Sequence, residues 1–181
     1  FPYNALPIRA WCRQHPDAGY GGNFKDWVYD ADMGPYNSWG NGSAMRISPA
    51  ALLADSREQM LENARRVTAI THNHPEGLKG ALATVDAIYA LRRGAAPAEV
   101  RSFIELEYDY PLNRTVDMIR PDYDFDVSCQ GSVPEAIICA LEATDFEDAI
   151  RNAVSLGGDS DTIACIAGAI AEARFGVPQA F

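Results

Sequence analysis

With 25 Asp and Glu against 15 Lys and Arg, this chain of 181 residues carries a formal net charge of −10. No basic patch or stripe overrides that charge, which argues against a nucleic-acid partner, and no apolar run approaches the ~20 residues needed to cross a bilayer. The length suits one domain with a core of its own, and 48% hydrophobic and 22% charged residues are ordinary for a globular protein.

The first predicted element is a helix over residues 4–15, with Leu6, Ile8, Trp11 and Cys12 on its apolar side. Residues 16–36 read as irregular, because Gly19, Gly21, Gly22, Asp30, Asp32, Gly34 and Pro35 are turn formers. A second helix spans 56–71, with Ser56 as N-cap and Gln59 completing a capping box. A third spans 78–93, with Arg92 and Arg93 in its last turn and Gly94 as its stop. Pro97 opens a fourth, to about residue 108, and a short one follows near 113–119. Ser132 caps a helix over 133–143, with Pro134 in the first turn and Glu135 reaching back. Asp145 caps 146–156, and the last helix runs from Ser160 to Phe175 and stops at Gly176. Tyr123 to Val127 alternates, but the stretch is short and isolated and reads as an extended loop. The expectation is an all-α fold. It is a single compact orthogonal helical domain of about eight helices over 1–181, with its function on the loops.

Cys12, Cys129, Cys139 and Cys165 form neither a CxxC pair nor a zinc spacing. Cys139 and Cys165 fall on apolar helical faces and are expected in the core, as are Trp11 and Trp27. No secretory pattern opens the chain, so a cytoplasmic location is expected. The charged stretch 56–66 reads as a solvated face.

Three loops invite chemistry. Ser38-Trp39-Gly40-Asn41-Gly42 is glycine-rich, so it is either a turn or a place where backbone N–H groups approach an anion. Trp39 within it is a core residue or a surface for a base. Gly19-Tyr20-Gly21-Gly22 is a flexible connection or a second such loop. His72 and His74 have a metal-like spacing, but no third His is near them in sequence. His74 precedes Pro75 and reads as structural, while His72 either caps the preceding helix or lines a pocket. Residues 128–132 precede a helix N-terminus, itself an anion site.

The most informative stretch is Gly157-Gly158-Asp159-Ser160-Asp161-Thr162. It puts two carboxylates and a hydroxyl within four residues, after a Gly-Gly turn, at the start of an apolar helix. Hard oxygen ligands at this density suit Mg²⁺ or Mn²⁺; simple capping is the alternative. Ala164, Ala167, Gly168 and Ala171 then give the helix a nearly bare face for close packing.

This hexapeptide and its Ala/Gly helix resemble the C-terminal signature of the ADP-ribosylglycohydrolases. Gly40-Asn41-Gly42 with Met45-Arg46 is similar to that family's Gly-Asn-Gly…Met-Arg segment, and Thr71-His72 to its Thr-His segment. The resemblance covers nearly the whole chain. It implies hydrolysis of the glycosidic bond between ADP-ribose and an acceptor, by a site with two Mg²⁺ or Mn²⁺ ions. By the same resemblance Asp159, Asp161 and Thr162 are metal ligands, and Asp159 and Asp161 are catalytic. Gly19, Tyr20, Gly21, Ser38, Gly40, Asn41, Gly42 and His72 then bind the substrate, free ADP-ribose or an ADP-ribosylated protein. Several members carry an acidic residue where Ser38 stands. The family's N-terminal Thr-Asp-Asp-Thr motif, the other half of the metal site, is not in this sequence. The resemblance therefore implies an N-terminal truncation of roughly 50 residues, and either a separate segment or homodimerisation to cover the exposed apolar surface. A non-catalytic ADP-ribose or nucleotide binder, or a structural protein on the same fold, is the alternative.

Overall fold

The computed structural model describes residues 5–180. Its helices are α1 (Ala5–Gln14), α2 (Gly22–Tyr29), α3 (Gly42–Met45), α4 (Ser48–Leu52), α5 (Arg57–Ala69), α6 (Pro75–Arg92), α7 (Pro97–Tyr108), α8 (Val116–Ile119), α9 (Cys129–Glu142), α10 (Phe146–Ser155) and α11 (Ser160–Phe175). Among the described residues there is no strand beyond an isolated antiparallel bridge between Gly40 and Ser128. The fold is all-α, as expected. No helix among them is long and apolar enough to cross a membrane. The expected start of the first helix at residue 4 lies outside the described residues.

The long helices follow from their end signals. Ser56 Oγ accepts from Gln59 N, Asp145 from Asp148 N, and Thr115 from Met118 N, each filling an orphan donor of the first turn. Gly94 adopts a left-handed φ of +86° at the end of α6, and Ala95 N returns to Ala90 O. The capping box at α5 is offset, because the Gln59 side chain accepts from Asp55 N rather than from Ser56 N.

The helices α2, α3, α4 and α9 depart from the sequence reading. The stretch 16–36 is not wholly irregular, since α2 lies within it. Trp27 and Val28 of α2 bury against Cys12 of α1, and Arg9 lies over the Trp27 ring at 4.3 Å. Eight residues between glycines and aspartates are too few to announce a helix; packing on α1 makes it. The very short α3 and α4 arise likewise, and with α2 they bring about eight expected helices to eleven among the described residues. α9 begins at Cys129 rather than near residue 133. Its cap is Ser128, which accepts from Gly131 N, while Ser132 faces inward and donates to Asp126 O. Pro134 therefore sits inside the helix, where it has no N–H to offer the Gln130 carbonyl.

The core lies where α6, α9 and α11 pack on one another, around Ile88, Ile137, Ile138, Ile163, Ile166 and Ile170. Bare positions permit the close approach. A side chain at Gly80 would put its Cβ 2.5 Å from Cys129 Sγ, and one at Gly168 would put it 2.9 Å from Ile150 of α10. Trp27 and Cys139 are buried as expected. Trp11 and Cys165 are exposed instead, although the Cys165 thiol still donates to Met45 O of α3 at 3.4 Å.

Candidate functional site

The bridge between Gly40 and Ser128 ties the glycine loop to the start of α9. Asn41 N donates to Val127 O at 2.7 Å, and Cys129 N donates to Trp39 O at 3.0 Å. That clamp turns the Asn41 side chain inward. Its amide donates to Asp159 Oδ2 at 2.6 Å and to Ser132 Oγ at 2.9 Å. Residues 118 positions apart thus share a charge-assisted hydrogen bond, and the starts of α3, α9 and α11 meet at one point.

Asp159 stands at the N-cap of α11, yet its carboxylate makes no capping hydrogen bond. It faces Asn41, Asp161 and Thr162 instead. Burial raises the Asp159 carboxyl above its ordinary range, the Asn41 amide pulls it back, and Asp161 beside it raises it again. No Lys or Arg among the described residues forms an ion pair with Asp159 or Asp161. Two uncompensated carboxylates and a hydroxyl are a donor set that suits a hard divalent cation. Among the described residues no third His, Cys, Asp or Glu joins them to complete a metal cluster. The Gly-Gly turn before them requires glycine: Gly157 and Gly158 have φ of +75° and +59°, and a Cβ on Gly158 would lie 2.8 Å from the Tyr123 ring.

His72 closes the other side. Its Nε2 lies 3.7 and 3.6 Å from where Cβ atoms on Gly40 and Gly42 would stand, so it faces the glycine loop. Its Nδ1 faces Thr71 Oγ1 at 2.7 Å and Arg46 at 3.3 Å. Burial, and secondarily the Arg46 charge, hold the imidazole down at about 3, so the ring is neutral at physiological pH. Gly77 of α6 allows the contact, since a Cβ there would stand 2.5 Å from Ser38 O and 3.1 Å from His72 Cβ.

That buried neutral ring makes stability pH-dependent. Its pKa is lower folded than unfolded, so as pH falls the unfolded chain takes up the proton first. The stabilisation is complete above about 6.5 and is lost progressively toward pH 3, with a slope of up to about 1.4 kcal/mol per pH unit. Urea unfolding at several pH values from 7.5 to 4 should show this slope, and His72→Gln should remove it. Equal slopes in the two proteins would place the acid sensitivity elsewhere.

Ser38, Gly40, Asn41, Gly42, His72, Asp159, Asp161 and Thr162 therefore lie in one neighbourhood. Thr162 Oγ1 also points to Met45 Sδ at 3.8 Å. Gly19, Tyr20 and Gly21 stand to one side: the Tyr20 ring packs on Phe24 at 5.5 Å, and Phe24 in turn lies 5.7 Å from the Arg46 guanidinium. No hydrogen bond or ring contact joins them to Asn41, His72 or Asp159 among the described residues. His74 caps α6, its Nδ1 accepting from Glu76 N. Trp39 is half exposed beside the loop rather than in the core. Sequence reasoning placed Ser132 in the 128–132 stretch before a helix and as a helix cap, but did not foresee that its hydroxyl accepts from the Asn41 amide. It also missed Asp126, whose Oδ1 accepts from Ser128 N and whose carbonyl holds Ser132. A cavity of about 240 Å³ between Leu52, Tyr89, Arg92 and Arg93 lies at the far end of α6, apart from this cluster.

The family model for ADP-ribosylglycohydrolases matches residues 5–180. The chain belongs to the ADP-ribosylglycohydrolase family. It is 28% identical to the ADP-ribosylhydrolase ARH3 of Danio rerio over 81% of this chain and 52% of that protein. It is 27% identical to the Mus musculus ARH3 over 92% of this chain and 61% of the mouse protein. Against the ADP-ribosyl-[dinitrogen reductase] glycohydrolase of Rhodospirillum rubrum it is 32% identical, over 76% of this chain and 47% of that protein. The chain thus spans about half to three fifths of the length of these relatives. A solved structure, described as an ADP-ribosylglycohydrolase-related protein complex, superposes with a TM-score of 0.74 at 24% identity, over 97% of this chain and 65% of that one. That likeness shows the ADP-ribosylglycohydrolase fold.

Proposed function

We propose that this chain carries the ADP-ribose-binding face, and one flank of the metal site, of an enzyme that hydrolyses the glycosidic bond between ADP-ribose and an acceptor, such as a modified protein side chain. The hydrogen bond from Asn41 to Asp159 carries the reading. It holds the glycine loop against the carboxylates at the start of α11, so that a ligand lying on the loop would also meet them.

The residues divide the work by chemistry. The N-terminus of α11 offers donors to phosphate oxygens, while the Gly40, Asn41, Cys129 and Gly131 N–H groups already have partners within the protein. His72 offers a neutral N–H donor, which recognises an anion or hydroxyl without exchanging a proton near pH 7. Asp159, Asp161 and Thr162 would hold Mg²⁺ or Mn²⁺, and a bound ion would supply Lewis-acid chemistry for the ribose hydroxyls and an attacking water. The Asn41 amide aims Asp159 and offsets part of the upward push that burial gives its carboxyl. Four unpaired cysteines, three of them buried, support a reducing compartment such as the cytoplasm.

A non-catalytic ADP-ribose binder is the second reading. It is favoured by one observation, that two carboxylates and a hydroxyl fall well short of the six oxygens that Mg²⁺ prefers. Release of ADP-ribose from a modified protein, with and without Mn²⁺, separates the two.

Calorimetry with ADP-ribose tests the shared part. Asn41→Ala and His72→Ala are each expected to weaken binding about tenfold or more, the scale of one lost hydrogen bond to a charged group. If the double variant binds as tightly as the parent, the ligand lies elsewhere.

A further inference from the structure

We propose that Arg46 is a positioning residue for His72: its guanidinium, lying between Thr71 Oγ1 and His72 Nδ1, decides which ring nitrogen carries the proton and so turns an Nε2–H toward the Gly40–Gly42 loop. Arg46 follows α3 directly, and its side chain runs back beneath the loop. One terminal nitrogen donates to Thr71 Oγ1 and stands 3.3 Å from His72 Nδ1. Its face lies near the Phe24 ring. Its Nε is buried with no hydrogen-bond partner, and among the described residues no carboxylate forms an ion pair with it. A charge set into the fold without a counter-ion, on the side of the ring away from the loop, has a poor claim to be there for stability.

A guanidinium offers donors and no acceptor. Any ring nitrogen it faces is therefore a lone pair, so Nδ1 is bare. In a neutral imidazole the proton then sits on Nε2, and Nε2 is the atom beside Gly40 and Gly42. Thr71 strengthens the choice. Its hydroxyl oxygen receives the Arg46 proton, which leaves its own hydrogen free to reach Nδ1 at 2.7 Å. Protonation of the ring would set an N–H against the guanidinium, and the positive charge opposes it.

The groups that face His72 from the packed elements leave Arg46 as the charge acting on it. Thr71 precedes it in the chain, and Gly77 faces it from α6. From the loop before α3 come Ser38 and Tyr36, whose ring lies 6.1 Å away and whose hydroxyl burial keeps protonated. None of these carries a charge at neutral pH. The consequence is a fixed, uncharged hydrogen-bond donor on the wall of the site. The assignment concerns the same site as the proposed ADP-ribose binding, but it makes its own claim about the free protein.

Two-bond proton–nitrogen correlation spectra of the chain labelled with ¹⁵N-histidine read both quantities, the His72 signal being identified by its loss in His72→Gln. In the parent, His72 should be the Nε2–H tautomer and should not titrate between pH 5 and 8. Arg46→Met should raise the His72 midpoint by at least one pH unit and mix the tautomers, whereas Arg46→Lys, which keeps a charged donor, should preserve both. Arg46→Gln keeps a donor without the charge, so it should hold the tautomer while the midpoint rises. A ring that remains wholly Nε2–H in Arg46→Met would show that the guanidinium does not decide the tautomer and would overturn the proposal. A parent ring that is Nδ1–H, or that titrates near 6.5, would overturn it without any variant, including the case in which no variant folds. Failure to bind ADP-ribose with the tautomer intact would count against the proposed function and leave this assignment standing.

Discussion

Arg57→Met is expected to destabilise the chain by about 3–5 kcal/mol, the cost of leaving a buried charge without its partner. Asp86 lies in the middle of α6 and is 1% exposed. Arg57 of α5 grips it with two hydrogen bonds, of 2.8 and 2.7 Å, and the Tyr108 hydroxyl of α7 donates to it from the other side. Three helices are tied to one carboxylate. Arg57 is itself 37% exposed, so the partners are unequal. Without Asp86 the guanidinium can turn to water, but without Arg57 the carboxylate cannot. Arg57→Met should therefore cost more than Asp86→Leu, and Arg57→Met/Asp86→Leu should recover a large part of the loss. Urea unfolding of the three variants is the measurement. A loss below about 1 kcal/mol for Arg57→Met, the level of an ordinary surface pair, would show that the contact contributes little.

If the proposed hydrolysis is correct, Asp161→Asn in an enzyme that joins this chain to the remaining metal ligands should lower the release of ADP-ribose from an ADP-ribosylated protein by at least about 100-fold, the scale of a lost electrostatic group in a catalytic site. The substitution keeps shape and removes the anionic oxygen that a hard cation requires. It leaves the helix in place, because the N-cap is Asp159 and Asp161 is an exposed residue of the first turn. The dipole interaction lost there is worth about 0.3–1 kcal/mol, so the metal-free melting temperature should fall by a few degrees at most. In this chain by itself, the same change should abolish what Mn²⁺ binding calorimetry detects. Full activity in the active enzyme would reduce Asp161 to a helix-start residue.

The chain's long helices were legible because their signals are local. Ser56, Pro97, Asp145 and Gly176 stand at the ends of periodic stretches, and capping acts within four residues. The helices that escaped, α2, α3 and α4, are eight residues or shorter. Too short to hold themselves in water, they form where Trp27, Ala44 and Ala51 find burial. Ser128 and Ser132 show the same limit within one motif. Either could cap, and only the docking of α9 on the glycine loop turns one outward and the other to Asp126.

The site divides along the same line. Sequence by itself determined the chemistry available: paired carboxylates and a hydroxyl after a Gly-Gly turn, a glycine loop, and a histidine after threonine, because ligand hardness and backbone freedom belong to residue types. Tertiary structure alone decided how those groups act. That Asn41 reaches Asp159, that Tyr20 packs beside Phe24, and that His72 stays neutral with one nitrogen facing Arg46 all depend on contacts between residues far apart in the chain or on depth of burial. Hydrogen bonds and desolvation act over a few ångströms of space, whatever the number of residues between the partners.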